Sequence, residues 1–421
     1  MNFMSLGRVL ACSVLFASPM TVTAQANQRA DTVVKLAQRP LHPGIATLIE
    51  ELSIGVADGS EEYMLGEIAD IALGRDGSIY ALDRQVPAIR HYNAQGKFIR
   101  NIGRRGQGPG EFRSMSGIAL ARDGRLLLWD TGNWRINVYS PTGDILPQIT
   151  TPSGSSGSSM AEYSRALMVD TGGRLITRKM VFSRDMMNRP TLWLRFAPNG
   201  ALIDTITAPP SPYEEATVSA TSGRFSVTNA VPFAPKRFVT MSPLNTIIAG
   251  VPNRYAFEIH QPGRPVVSVR RDVKPEPVSR SERSEARKEI EDRMRKTDPA
   301  WSWNGPDIPE TKPFYHDLQV ALDGRIWVPI IPEVSARVGS ISSGGGGVGP
   351  ATSRPRVEGP TPPPPRPALY DVFEPDGQYL GQVQVPARVS SVVRRGDHVW
   401  AVAVDENDVP RLKRYRIAWK N

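Results

Sequence analysis

The chain has 421 residues, 40% of them hydrophobic and 22% charged, with a formal net charge of +9. That mix excludes a wholly disordered chain, a collagen and a coiled coil. The 36 glycines and 38 prolines disfavour a helix-rich fold and suit one made of strands and turns.

Residues 1–26 read as an export leader. Arg8 is its positive residue, Val9 to Phe16 its apolar run, and Ala24-Gln25-Ala26 a small-x-small cleavage site. The run is far shorter than the ~20 residues of a membrane span. The expectation is an exported chain, periplasmic or secreted, with no transmembrane span. Cys12, the single cysteine, falls inside the run. A mature chain starting at Asn27 would then lack disulfides, thiolate zinc sites and a cysteine nucleophile.

Charge is unevenly spread. Residues 270–296 carry ten Lys/Arg against seven Asp/Glu, and residues 335–366 carry four Arg against one Glu. The remainder is close to neutral. A nucleic-acid reader concentrates its basic residues on a folded face, so nucleic acid is not expected as a partner.

Internal repetition is the strongest signal. Residues 68–83, IADIALGRDGSIYALD, return at 115–130 as MSGIALARDGRLLLWD. Each copy is an apolar strand, an Asp-Gly turn and a second apolar strand, a strong hairpin signal. Two more strands follow in both copies, at 88–93 and 97–102 and at 135–140 and 144–146. Four looser copies begin near Ala166, Phe238, Leu318 and Val392. The sixth stops after three strands. Residues 51–56, with Leu52, Ile54 and Val56 alternating, supply an unpaired strand before the first copy. These complementary ends predict an all-β, six-bladed β-propeller of four-stranded antiparallel blades, the N-terminal strand completing the last blade. Closure protects the sheet edges that a linear array would expose. A β-sandwich would explain neither the regular four-strand unit nor the ends.

Two insertions interrupt the expected ring, which spans 27–421. Within 270–313, residues 279–297 read as a helix: Ser279 and Glu282 have capping-box spacing, and Glu289–Arg293, Glu291–Arg295 and Asp292–Lys296 are four apart. Its apolar stripe of Ala286, Ile290 and Met294 suits one light contact with the ring or a partner. Residues 335–367, rich in Gly and Pro, read as a flexible loop, either a solvated excursion or a docking segment.

Gly106-Gln-Gly-Pro-Gly110-Glu-Phe112, then Asp123-Gly124 and Trp129-Asp-Thr-Gly-Asn-Trp-Arg-Ile-Asn-Val-Tyr139, resemble an NHL-type repeat. The chain resembles the exported bacterial six-bladed propellers of that kind, closely in the first two repeats and loosely elsewhere. The resemblance implies a fold more than a function.

Propellers commonly bind ligands at one mouth of the central channel. Aligning the six inner strands brings Arg165, Arg237 and His316 to one slot, and Glu67 and Arg388 to a slot two residues earlier. The three arginines, with His316 and Glu67, could hold a carboxylate, phosphate or sulfated sugar through forked hydrogen bonds. They could also pair with carboxylates of the blades. Catalysis has less support. The resemblance extends to propeller lyases that hold zinc with several histidines, yet of His42, His91, His260, His316 and His398 only His316 occupies the slot, and a catalytic zinc needs about three protein ligands. Neither a catalytic group, nor a metal site, nor a cofactor is expected. Asp83, Asp130 and Asn133 could suggest calcium, but their place in the repeat suits hydrogen bonds to turns. The tryptophans at 129, 134, 327 and 400 suit a core between blades rather than sugar platforms. The expected function is non-catalytic binding of a small anionic ligand, glycan or envelope protein by a monomer. The alternative is a divalent-cation-dependent hydrolase or lyase, lactonase-like.

Overall fold

The computed structural model describes residues 32–150, 167–179, 191–223, 225–330 and 367–420. The leader at 1–26, Arg165 and the loop at 335–366 lie outside the described residues. The chain is a six-bladed β-propeller. Each repeat becomes an antiparallel sheet whose strands run outward in chain order. The first sheet is Ile68–Leu73, Ile79–Asp83, Ala88–Tyr92 and Phe98–Ile102, and the second Met115–Leu120, Leu126–Asp130, Arg135–Tyr139 and Ile145–Thr150. The third runs from Leu167 to Thr207, the fourth from Phe238 to Arg270, the fifth from Gln319 to Val385 and the sixth from Val389 to Ala418. The Asp-Gly turns work as their chemistry dictates. Gly77 and Gly124 take φ of +85° and +84°, which glycine adopts without a Cβ clash. The preceding Asp76 and Asp123 carboxylates accept the Ser78 and Arg125 backbone N–H at 3.0 and 3.1 Å.

Strand alternation gives each blade two apolar faces, so the core lies in the seams between blades. Tyr80, Leu82 and Ile89 meet Ile118, Leu126 and Leu128 between the first two blades. Leu127 and Trp129 meet Leu175 and Leu194 in the next seam, and Ile176 and Trp193 meet Met241 in the one after. Phe257 packs edge-on against Phe373 between blades four and five. Backbone bonds cross other seams: Leu322 N–H donates to the Arg394 carbonyl at 2.9 Å.

The N-terminal region departs from expectation. The closing strand is Ile45–Ile54, longer and earlier than the 51–56 read from alternation, and it pairs antiparallel with Pro410–Ala418. Its start, Ile45 and Ala46, also pairs in parallel with Gln382 and Val383 of blade five. A further strand, Thr32–Leu36, adds in parallel to Val266–Arg270, so blade four has five strands rather than four. Residues 32–54 thus form a belt along the outer rims of blades four, five and six. Val33, Val34 and Leu36, exposed on both sides of Thr32–Leu36, gave no alternation to read.

Connectivity sorts the loops. The first strand of every blade leads into the second by a tight turn at one end of the ring. The connections from second to third strand, and from one blade to the next, emerge at the other end. Among the described residues, the two long insertions, between Thr207 and Phe238 and between Arg270 and Gln319, both leave from this loop-bearing face. The helix, Arg280–Arg295, has the expected capping box and the Glu289–Arg293 and Glu291–Arg295 pairs at 2.8 and 3.2 Å. Its Ile290 and Met294 are buried not against the ring but in a separate apolar cluster with Val218, Ala220, Val231, Trp301 and Ile308. Val218 and Ala220 belong to a hairpin, Thr217–Ser222 and Phe225–Ala230, which the sequence reading missed.

Candidate functional site

The turn scaffold of the loop-bearing face rests on buried carboxylates. Asp83, at the end of a second strand, accepts the Gly66, Gln85 and Val86 backbone N–H at 3.1, 3.0 and 3.2 Å and the Arg90 Nε–H at 3.0 Å. Arg90 in turn donates to the Glu61 and Met64 carbonyls at 2.7 and 2.9 Å. Asp130 repeats the device: it accepts the Arg113 and Ser114 N–H, both at 3.1 Å, and the Asn133 amide at 2.6 Å. Each carboxylate thereby ties its own turn to the connection from the preceding blade. These are the hydrogen bonds to turns that their place in the repeat suggested.

Four of the five residues read from the slots are described, and all four sit where an inner strand begins, on the loop-bearing face. They do not share one environment. Glu67 is exposed and ion-paired with Arg84 at 3.3 Å. Arg388 is exposed, has a positive φ of 60°, and pairs with Asp408. His316 is exposed. Arg237 is half-buried. Burial lowers its pKa against the opposing pull of Glu258 and Glu215, and it donates to the Pro209 carbonyl. Its backbone N–H reaches the Glu215 carboxylate at 3.3 Å.

Arg178 is a neighbour that the sequence reading passed over. Ile176 and Val239 face the seam between blades three and four. Alternation sends Arg178, two residues beyond Ile176, and Arg237, two residues before Val239, toward that same seam at its loop-bearing end. Burial also pushes the Arg178 pKa down. Neither guanidinium figures in the other's shift, so the seam holds two separately half-buried arginines rather than a coupled pair.

Trp134 corrects an expectation. Trp129, Trp327 and Trp400 are buried, but Trp134 lies in a turn with 57% of its surface exposed and a φ of +53°. A bulky residue there is uncommon. The turn is tightly held: Asn133 donates to the Gly106 carbonyl at 3.2 Å, and Arg135 donates to the carbonyls of Gln107, Gly108 and Glu111 at 3.2, 2.6 and 2.8 Å. Gly106–Gly110 is thus the connection between blades one and two. Among the described residues, no three His, Cys, Asp or Glu side chains converge in a way that could hold a metal ion.

A family model, DUF5128, described as a 6-bladed beta-propeller, matches residues 58–163. Comparison with curated proteins returns no match. Among solved structures, a member of the DUF4221 family from Bacteroides vulgatus is similar with a TM-score of 0.51 and 9% identity over 91% of this chain and 100% of that one. A Bacteroides fragilis protein described as exported gives 0.47 and 11% over 92% and 99%. The virginiamycin B lyase of Staphylococcus aureus gives 0.40 and 9% over 87% and 99%. At 9% identity the likeness to the DUF4221 protein speaks to fold alone, and the six-bladed β-propeller is the description that the matching family model carries.

Proposed function

We propose that this chain is an exported, non-catalytic propeller, periplasmic or secreted, that binds a small anionic ligand, glycan or envelope protein at the loop-bearing mouth of its ring. Its repeats are of NHL type, and it acts as a monomer. The observation that carries the reading is Arg237. It stands at the start of an inner strand, beside a seam that Arg178 shares, and the Pro209 carbonyl aims it. Among the described residues no carboxylate forms an ion pair with its guanidinium. A half-buried guanidinium in this state gains most from an incoming carboxylate or phosphate.

A thermal-shift screen tests the reading. Any species that binds only the folded state raises the midpoint. Small carboxylates, phosphates, saccharides and peptides form one arm, and calcium and zinc with and without chelator the other. A rise with an anionic species, lost in Arg237→Gln, is the expected result. A rise with calcium or zinc that chelator reverses, and none with anions, overturns the reading in favour of a divalent-cation-dependent hydrolase or lyase.

A further inference from the structure

The outer rim of blade four ends on an open edge. Thr32–Leu36 is the last strand of its sheet, and among the described residues no strand pairs with its far side. The amides of a strand point alternately to its two sides. Ala37 donates its N–H inward to the Arg270 carbonyl at 2.8 Å. By that period the amides of Lys35 and Val33 also face the sheet, and those of Thr32, Val34 and Leu36 face outward. A row of outward N–H and C=O groups is a template for another strand.

The side chains make this edge apolar on both faces. Val33 and Lys35 share one face of the strand, and Thr32, Val34 and Leu36 share the other. Val33 is 47% exposed, Val34 46% and Leu36 73%. Among the described residues, six of the fifteen exposed large apolar side chains lie between Val33 and Ile49, a segment with no acidic residue. Proteins commonly blunt such edges with a lysine, but Lys35 is held toward blade five by Asp376 at 2.9 Å. Arg39 lies exposed just beyond the strand.

Three kinds of occupant could cover this edge, and two fit it poorly. A lipid surface would leave the outward amides of Thr32, Val34 and Leu36 unpaired, because hydrocarbon offers them no partner. A second copy would meet the edge rim to rim along a five-residue strand, against the roughly 20–30 residues a side of a stable interface. An extended peptide segment pairs with the outward amides along its own length. Its alternating side chains cover both apolar faces at once. We infer that the Thr32–Leu36 edge docks an extended segment of another protein as a sixth strand of blade four, the segment apolar on both faces and acidic where it passes Arg39. This site lies on the rim and does not depend on the mouth-binding reading.

The test is fluorescence anisotropy of the full chain with a labelled synthetic peptide, Asp-Val-Ile-Val-Ile-Glu. The wild-type chain is expected to bind it about tenfold more tightly than the same peptide with its backbone amides N-methylated, and more tightly than a version with lysine in place of both acids. Val34→Pro removes an outward N–H and no bond of the ladder, so its melting midpoint should stay near that of the wild type while binding falls about tenfold. Leu36→Lys keeps every amide and puts a free charge on the edge, and it should weaken binding likewise. Hydrogen exchange should slow at Val34 and Leu36 when the peptide is bound. Arg237→Gln should leave binding unchanged, and loss of binding there would place the peptide at the mouth and overturn the inference. Binding that survives both Val34→Pro and Leu36→Lys overturns it, as does a wild-type chain that binds no peptide. Peptide binding that appears only after deletion of residues 335–366 assigns the edge to that segment and overturns it too. So does a wild-type dimer that Val34→Pro dissociates, which assigns the edge to a second copy, or binding to phosphatidylglycerol vesicles with no peptide bound, which assigns it to lipid.

Discussion

The Asp83 carboxylate and the Arg90 guanidinium meet at 3.0 Å with both side chains almost wholly buried. Asp130 and Arg135 reproduce the relationship one blade later, at 3.8 Å and with more solvent. In each case the acid ends the second strand and the base lies on the third. The pair staples a turn and an incoming connection to one spot. Arg90 also fills two carbonyls of residues 61–64, so loss of the acid strands a buried cation. Asp83→Ala is expected to cost about 3–5 kcal/mol of stability, the usual penalty for breaking a buried pair from one side. Urea denaturation of the variant checks this, and a loss below about 1 kcal/mol would mean that water replaces the carboxylate easily.

Much of the ring was readable because each blade repeats two cheap signals, an Asp-Gly turn and alternating apolar residues. Turns such as Gly77 and Gly124 announce themselves by chemistry that no other residue satisfies. The outer belt was not readable. Val33, Val34 and Leu36 are exposed despite being apolar, so their pattern carries no face. The hairpin at 217–230 was missed because its apolar residues pack on a helix some 60 residues later in the chain, a partner no local window contains. Register alone put the slot residues near the starts of inner strands. It could not say that Glu67 and Arg388 would pair with the turns between second and third strands of the blades they enter, since that depends on where Arg84 and Asp408 fold.

The belt makes a prediction about closure. Ile45–Ile54 supplies the fourth strand of the last blade, and its Ile54 packs with Leu65, Tyr92 and Leu412. Thr32–Leu36 only thickens blade four, anchored by Lys35 to Asp376 at 2.9 Å. Deleting residues 27–36 should leave a closed ring whose melting midpoint falls by a few degrees. Deleting residues 27–54 should open the ring, bare the edge at Pro410–Ala418 and drive aggregation. Size-exclusion chromatography with light scattering separates these outcomes. A monomeric 55–421 chain with native cooperativity would show that closure does not depend on this strand.

The helix and hairpin form a cluster apart from the seams of the ring, with Ile290 and Met294 at its centre. Ile290→Ala removes buried methyl groups and should cost about 2–5 kcal/mol within that cluster. Because the cluster shares none of its buried residues with the blade seams, the loss should be local. Hydrogen exchange should rise in residues 217–230 and 280–295 while strands such as Leu126–Asp130 keep their protection. Uniform loss of protection across the blades would show that the insertion is a structural part of the ring.

Glu215 gives a pH prediction whose sign can be worked through. The side chain is half-buried beside Arg237, and burial raises its pKa above the ordinary glutamate value despite the opposing pull of Lys236 and Arg237. In the unfolded chain the carboxyl loses its proton at the ordinary value, and in the folded chain only at the higher one. Between the two, the folded state holds more protons, so this group's contribution to stability falls as pH rises. Its favourable share is complete below the unfolded value and lost as pH climbs through the folded one. Glu215→Gln keeps an acceptor for the Arg237 backbone N–H and removes the titration. The variant's melting midpoint should therefore gain on the wild type's as pH rises above the ordinary glutamate value, the difference growing until the folded carboxyl has lost its proton. Curves that stay parallel across that range would mean that the cations beside Glu215 already cancel its burial, and that the loop-bearing end of this seam is wetter than its neighbours suggest.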